Sequence, residues 1–402
     1  MVDILSDDLA MEVLVRLPVR SIMRFRCVSK AWNSLISELG CRHRDRLPPA
    51  MVGYIQEYPA SWQKATKFTG IGRRSCYSSD ALAAAVAGSR GPDFSFMPLC
   101  YSQENRDIVS VCNGLVLCHY SIQQLDDEQP DYEHFHVICN PATKRWKRLP
   151  ETKLCDPIAV GFDQRLPHRR HYRVLGEDIL MHPGPDIFRF KMFVSETGSW
   201  VDCPGGLPRT LKSCLEVMFY ADGIFYVFDI SLVHNVAAVA VVHLLAVEEG
   251  GCRMIPLPPG VRPDGFECSL LREWFSRGVR PCLGSLDGVL RLAAGTQDEI
   301  LVWALEAGGW VPKHAVDLLG VGRERLAEIG VDPGLLSTVR FVKFHPDVDV
   351  IFLCTRGTVL SYHLGTGTFE VMSSDAVDAN SCFRIPYFFF PYSPCYSEEL
   401  DL

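Results

Sequence analysis

Along the first forty positions of the chain, apolar residues recur at the spacing of α-helices, with polar residues between them. The apolar residues define three short stripes, formed in order by Leu9, Val13, Leu14 and Leu17, by Val19, Ile22 and Phe25, and by Val28, Trp32, Leu35 and Ile36. Pro18 separates the first two stripes, because proline ends an α-helix. A unit this small cannot bury all of these side chains within itself. Some of them are therefore expected to face either the rest of the chain or another protein.

From about residue 107 onward the pattern changes to short apolar runs separated by turns, which is typical of β-strands. Asn-Gly or Asp-Gly lies between apolar runs at 113–114, 222–223 and 287–288. This dipeptide is the strongest local signal for a β-hairpin, since both turn residues must tolerate a positive φ. The uncharged stretch 230–247 has polar residues near its middle, so two buried strands around a turn near His234 explain it better than a membrane span.

A second recurring element is a polar turn that leads into a bulky residue. It ends at Trp146 and Trp200, with weaker copies at Cys252, Trp310 and Phe369. The steps between successive copies are 54, 52, 58 and 59 residues, close to the about 50 residues of one kelch-type propeller repeat. A four-stranded blade cannot bury both of its faces alone, whereas a ring of blades can. The sequence therefore predicts a β-propeller of five to seven blades, in which the three tryptophans are structural anchors between blades.

The composition is that of a globular protein with a substantial core, since 48% of the residues are hydrophobic and 22% are charged. The 402 residues exceed one ordinary domain. Lys and Arg number 40 against 48 Asp and Glu, which leaves a formal charge of −8. Electrostatic binding to nucleic acid or to an anionic membrane surface is therefore not expected. The expected partner is a protein or a small molecule.

The 16 cysteines include no Cys-x-x-Cys pair, so no metal site is predicted and the thiols are expected to behave as small buried apolar groups. The sequence begins with acidic residues where a signal peptide has basic ones, and a location in the cytoplasm or nucleus is expected. Motifs of a serine nucleophile elbow, a phosphate-binding loop and a zinc protease are absent from the sequence. Neither a cofactor nor catalytic residues are predicted.

The N-terminal stretch resembles an F-box. The matching segments are Leu5-Ser-Asp-Asp-Leu9, Val13-Leu14-Val-Arg-Leu17-Pro18-Val-Arg-Ser-Ile22 and Arg24-Phe25-Arg26-Cys27-Val28-Ser29-Lys30-Ala31-Trp32, with Ser6 where the family usually has proline. F-box modules bind a Skp-type adaptor and thereby join a cullin-based ubiquitin ligase. The resemblance implies adaptor contacts for eight residues: Leu5, Leu9, Val13, Leu14, Leu17, Pro18, Val19 and Ile22. It implies a structural role for Trp32 and Leu35, which hold the third helix in place.

Residues 107–204 resemble the F-box-associated domain of plant F-box proteins. The resemblance rests on the segments 112–118, 140–150, 160–163 followed by 172–174, and 194–200. In those proteins this segment follows the F-box and forms a kelch-like β-propeller, and the rest of the chain agrees with it by period. The expected architecture is therefore mainly β. It has a three-helix F-box at 1–40, a linker and the start of the β domain at 41–106, and an F-box-associated propeller at 107–395.

Three functions from different classes are compatible with the sequence. The favoured one is the non-catalytic substrate-recognition subunit of a Skp–cullin–F-box ubiquitin ligase, whose propeller binds an unidentified protein target. The second is an adaptor-bound propeller that senses a small molecule or a glycan. The third is a propeller enzyme that uses the central funnel of the ring. Target specificity is expected in loops at one end of the ring, among them the acidic stretch 126–133 and the turn 204–208.

Overall fold

The computed structural model describes much of the chain with gaps between the elements. The described residues are 7–14, 25, 28–42, 51, 53–58, 65–70, 92, 94–97, 106–124, 131–151, 155–162, 171–178, 187–203, 207–208, 217–221, 223–231, 236–243, 252–258, 279–296, 298–307, 309–339, 341–355, 358–374, 388–395, 400 and 402. Strands dominate this part of the chain, as the sequence predicts.

Within the described residues, the N-terminal part of the chain contains the helices α1 (Asp7–Leu14) and α2 (Lys30–Arg42), which contact each other. The Ser29 hydroxyl accepts a hydrogen bond from the backbone N–H of Trp32 (3.2 Å), which caps the start of α2. The ring of Phe25 stacks on Trp32, with centroids 5.3 Å apart. Of the short second helix predicted around 19–25, only Phe25 lies within the described residues.

Two antiparallel meanders of four strands follow in the first half of the β domain. The first meander consists of β3 (Arg106–Cys112), β4 (Leu115–Gln124), β5 (Asp131–Asn140) and β6 (Arg145–Arg148). The second consists of β7 (Cys155–Gly161), β8 (Arg173–Asp178), β10 (Phe190–Val194) and β11 (Ser199–Asp202). A separate two-stranded sheet is formed by β9 (Ile187–Phe188), which lies between β8 and β10 along the chain, and β12 (Leu207–Pro208), which follows β11.

Three further meanders occupy the second half. The third consists of β13 (Val217–Ala221), β14 (Ile224–Ser231), β15 (Val236–His243) and β16 (Cys252–Pro256). The fourth consists of β17 (Val279–Leu286), β18 (Val289–Gly295), β19 (Glu299–Glu306) and β20 (Gly309–Asp317). The fifth consists of β21 (Phe341–Phe344), β22 (Val350–Cys354), β23 (Thr358–His363) and β24 (Thr368–Ser374). Residues 230–231 and 236–243 of the uncharged stretch lie in β14 and β15, which confirms that this stretch contributes to two strands.

Tight turns form where the sequence predicts them. Asn113 and Gly114 have φ values of 47° and 87°, and Asp287 and Gly288 have φ values of 52° and 76°. Positive φ at both central residues gives the local twist that antiparallel strands need in a two-residue hairpin. These turns connect β3 to β4 and β17 to β18.

A three-stranded sheet brings the two ends of the β domain together. Its strands are β1 (Gly53–Tyr58), β2 (Ala65–Gly70) and β25 (Phe388–Tyr392), and β1 pairs with both of the others. The rings of Tyr54 on β1 and Phe389 on β25 lie 4.5 Å apart, and both pack on Phe352 of β22 in the fifth meander. The same sheet contacts the first meander through β25 and β3.

The meanders follow one another around a ring. The first strand of each contacts the first strand of the next, in the order β3, β7, β13, β17 and β21, and the three-stranded sheet lies between the fifth meander and the first. The fold is therefore mainly β with a propeller arrangement. Counted as separate sheets of four or more strands, the described residues give four blades, fewer than the five to seven expected. The reason is that β17 pairs with β21 in parallel at Arg280 and Phe341, which joins the fourth and fifth meanders into one eight-stranded sheet.

A short helix, α3 (Val321–Glu328), and a 3-10 helix (Pro333–Thr338) connect the fourth and fifth meanders. The carboxylate of Asp317 accepts hydrogen bonds from the backbone N–H groups of Leu319, Gly320 and Val321 (2.8, 2.8 and 3.0 Å). These bonds lower the pKa of Asp317. The N–H of Val321 is one of the groups that an α-helix leaves unpaired at its start, and those of Leu319 and Gly320 belong to the turn before the helix. The sequence analysis did not predict this insertion.

Candidate functional site

Helix α1 has two apolar faces with different surroundings. Ala10 and Leu14, four residues apart, are buried. Leu9 and Val13, also four residues apart, are 57% and 45% exposed. Residues at i and i+4 lie on the same side of a helix, so the helix packs one side against its own domain and presents the other to solvent. The exposed pair belongs to the set predicted for adaptor contact.

The structure divides the predicted adaptor-contact residues into three groups. Leu9 and Val13 are exposed, as a contact surface requires. Leu14 is fully buried, so its side chain supports α1 and is not available to a partner in this arrangement. The remaining residues of the set lie outside the described residues: Leu5, Leu17, Pro18, Val19 and Ile22.

Trp32 and Leu35 lie on α2 and are both half-buried. The stacking of Phe25 on Trp32 and the buried Ile36 join α2 to the residues before it and to the core of the N-terminal domain. Val28, at the turn before α2, is 63% exposed.

The three predicted tryptophan anchors lie where neighbouring units of the ring meet. Trp146, on β6, is half-buried and packs against the core between the first meander and the three-stranded sheet. Trp200, on β11, packs against the core between the first and second meanders. Trp310 lies on β20 of the fourth meander and is also half-buried.

Trp200 and Trp310 make the same polar contact to the meander that precedes them. The Nε1 atom of Trp200 donates to the carbonyl oxygen of Pro150, just after β6 (3.0 Å). The Nε1 atom of Trp310 donates to the carbonyl oxygen of Pro256, at the end of β16 (2.8 Å). Each half-buried indole ring thus has its one donor satisfied across the junction. The sequence pattern predicts these residues between blades but does not predict this bond.

The loops predicted to hold target specificity are largely outside the described residues. Of the acidic stretch 126–133 the structure describes only 131–133, and of the turn 204–208 only 207–208. Within the described part of the chain, no three or more His, Cys, Asp or Glu side chains form a group that could hold a metal ion. No described helix is long and apolar enough to cross a membrane.

The first meander carries a group of histidines that was not among the predicted site residues. His119, on β4, lies opposite His136 of β5, and His134 is two residues before His136. The signal was available as the alternation His134-Phe-His136, because residues two apart on a strand share a face. The cross-strand partner could be assigned only from the register of the sheet.

Comparison with known proteins agrees with this arrangement. Residues 3–44 match the F-box domain family. F-box protein At3g49450 of Arabidopsis thaliana is 26% identical over 200 residues, which are 46% of this chain and 43% of that protein. F-box protein At1g47340 of the same plant is 29% identical over 215 residues (50% and 43%), and F-box protein At1g49990 is 24% identical over 272 residues (61% of each). The chain spans less than two thirds of the length of these relatives.

Solved structures give only distant likenesses. The Dos1 propeller aligns with 67% of this chain and 60% of its own, at a TM-score of 0.36 and 8% identity. A chain of the mitotic checkpoint complex aligns with 65% of this chain and 63% of its own, at a TM-score of 0.33 and 11% identity. Both are too distant to add to the architecture described above. The chain has an F-box domain at its N-terminus, followed by a β domain of propeller-like arrangement, and it is similar to plant F-box proteins.

Proposed function

We propose that this chain is the substrate-recognition subunit of a Skp–cullin–F-box ubiquitin ligase. The F-box domain binds a Skp-type adaptor, and through it a cullin, while the propeller binds the protein that is to be ubiquitinated. The observation that supports this proposal best is the outward face of α1, where Leu9 and Val13 are exposed and apolar while Leu14 on the other face is buried. The chain performs no bond chemistry of its own; it holds a target close to the machinery that transfers ubiquitin.

The outward face of α1 favours a protein partner over water. Burial of one exposed Leu or Val side chain contributes about 1.5–3 kcal/mol. Leu9 and Val13 are one helical turn apart, so both side chains can enter the same apolar groove, as the anchors of helix-in-groove interfaces do. A few buried apolar anchors at the centre of an interface supply most of its binding energy.

A location in the cytoplasm or nucleus belongs to the same proposal. It is supported by the state of the cysteines: Cys118, Cys139, Cys282, Cys354 and Cys395 are buried free thiols. Free thiols of this kind are common in reducing compartments, where disulfides are rare.

The adaptor contact is tested with two single substitutions, Leu9→Asp and Val13→Asp. Each would bring an uncompensated carboxylate into an apolar contact, which costs several kcal/mol. We expect the affinity of the full chain for a purified Skp-type adaptor, measured by titration calorimetry, to fall at least about a hundredfold, since each 1.4 kcal/mol is a factor of ten. The melting temperature should not change, because both side chains already contact solvent.

Val28→Asp is the matched control. Val28 is an exposed apolar residue of the same domain and lies outside the predicted contact set. Its substitution should leave the affinity unchanged. Equal affinity for all three variants and the parent would mean that α1 does not form the adaptor contact, and the proposed function would lose its main support.

The target side of the proposal is tested separately, in plant cells that express the full chain. Proteins that co-purify with the parent chain and also with the Leu9→Asp variant bind the propeller and not the adaptor. A target should accumulate when the proteasome is inhibited and in cells that contain only the variant. A bound protein whose amount is the same under all conditions would show binding without degradation.

A further inference from the structure

Three histidines and two aspartates meet where the first meander faces the second. His119 and His136 are cross-strand partners with ring centroids 4.9 Å apart. The Nδ1 atom of His134 lies 3.3 Å from Nε2 of His119. Asp107 of β3 lies 3.8 Å from Nδ1 of His119, and Asp156 of β7 lies 3.4 Å from Nε2 of His136. These five residues are called the histidine cluster below.

The histidine cluster continues an apolar face of the first meander. Along β4 and β5, Leu117 and Ile138 are two residues from His119 and His136 on the same faces, and both are buried against Val160 of β7 in the second meander. The side chain of His136 is only 15% exposed. Its imidazole is therefore part of the contact between the two meanders.

The surroundings of His136 disfavour its protonated form. Burial lowers the pKa of His136 to about 3, and the imidazoles of His119 and His134 act in the same direction. Asp156 is the carboxylate beside its ring, but the side chain of Asp156 is 59% exposed, so solvent screens its attraction. Burial also raises the pKa of Asp156.

Two other carboxylates lie near the contact. Asp107 faces His119 on the neighbouring strands. Glu177 on β8 is the cross-strand partner of Asp156. Asp107 is thus paired with another member of the cluster, and Glu177 adjoins the exposed Asp156. The buried imidazole is the member that must stay neutral for the two meanders to remain packed.

We propose that the histidine cluster makes the contact between the first and second meanders proton-sensitive, so that this part of the ring closes when His136 is neutral and opens in mildly acidic solution. A metal site in the same place is not favoured, because no three of the described side chains are arranged to hold one ion. The proposal concerns the β domain alone and does not depend on the proposed ligase function.

The direction of the pH effect follows from the difference in the pKa of His136 between the closed and open states. In the open or unfolded state His136 titrates near its ordinary value of 6.5, whereas in the closed state it takes up a proton only near pH 3. As the pH falls below 6.5, the open state therefore binds a proton that the closed state does not. The equilibrium constant for closure falls about tenfold per pH unit, which gives about a 30-fold loss at pH 5.0 relative to pH 7.5 for this residue alone.

The test compares the parent chain with His136→Gln at pH 7.5 and pH 5.0. Urea unfolding gives the loss of stability between the two pH values, and the loss in the parent should exceed the loss in the variant by about 30-fold in the equilibrium constant. Hydrogen exchange, corrected for its intrinsic pH dependence, should show lost protection at pH 5.0 in β4, β5 and β7 before the fourth and fifth meanders. His171→Gln, which removes a histidine outside the cluster, should behave as the parent.

Three results would overturn the proposal. The first is an equal loss of stability between pH 7.5 and pH 5.0 in the parent and in His136→Gln. The second is a loss of hydrogen-exchange protection that is uniform over all meanders. The third is a gain of stability on acidification, which would mean that Asp156 supports a protonated His136. If His136→Gln does not fold, His134→Gln replaces it. His134 is exposed and contributes to the low pKa of His136, so its removal should weaken the pH dependence, and an unchanged dependence would count against the proposal.

Discussion

At the scale of single residues, Trp200 and Trp310 each hold two neighbouring meanders together with one ring. The indole packs at the junction, and its N–H donates to a proline carbonyl of the preceding meander at 3.0 and 2.8 Å. Trp200→Phe and Trp310→Phe keep an aromatic ring and remove the donor. Each should lower the free energy of unfolding by at least about 0.5–1.5 kcal/mol, measured by urea denaturation. Variants as stable as the parent would mean that water replaces the indole N–H as the donor to the proline carbonyl at no cost in stability.

Gly114 and Gly223 illustrate two reasons why a turn needs glycine, a positive φ and a lack of space for a side chain. Both have a positive φ, +87° and +84°, but a Cβ on Gly114 would clash with the backbone nitrogen of Cys395, whereas nothing lies within 4 Å of a Cβ on Gly223. Gly223→Ala should cost only the backbone strain, about 1–2 kcal/mol. Gly114→Ala should cost about 1–3 kcal/mol more, because the C-terminal segment must move. Thermal unfolding of the two variants measures the difference, and equal costs would contradict the close approach.

At the scale of elements, the hairpins and strands that could be predicted from the sequence are those that local patterns determine. Turn dipeptides at 113–114 and 287–288 formed hairpins, and the apolar run 230–247 contributed to two strands. The pairing of β1 with β25 joins residues more than 300 positions apart, and no local pattern encodes such a pairing. Helix α3 was missed because four of its eight residues are charged and only Gly322 and Leu326 are buried, which leaves little helical periodicity.

The residues of the candidate site on α1 were predicted together, but the sequence did not show which face of the helix packs inward and which faces solvent. Both sides of this short helix are apolar, so periodicity alone does not tell which side packs inward. Leu14→Ala should destabilise the N-terminal domain by about 2–5 kcal/mol, because Leu14 is fully buried. Leu9→Ala should change its stability by less than about 0.5 kcal/mol. Hydrogen exchange of the α1 amides distinguishes the two, and similar protection in both variants would mean that the faces are assigned incorrectly.

At the scale of the whole molecule, the C-terminal segment closes the ring on the first meander. Strand β25 pairs with β1. The side-chain amide of Asn140 donates to the carbonyl of Cys395 (2.9 Å), and the guanidinium of Arg145 donates to the carbonyl of Leu402 (2.6 Å). Cys395 and Leu400 are buried in the core between the first two meanders. A segment at the end of the chain thus completes the core of units formed near its beginning.

Two truncations test this closure. Ending the chain after residue 395 keeps β25 and removes the buried Leu400, which should cost about 1.5–3 kcal/mol. Ending it after residue 387 also removes β25, leaves an unpaired edge on β1, and exposes Tyr54 and the apolar face of the first meander. The shorter chain should therefore melt at a much lower temperature than the longer one, and trypsin should cleave first within the first meander. If both truncated chains melt within a few degrees of each other, the ring is held by contacts between meanders alone, and the C-terminal strand only covers its seam.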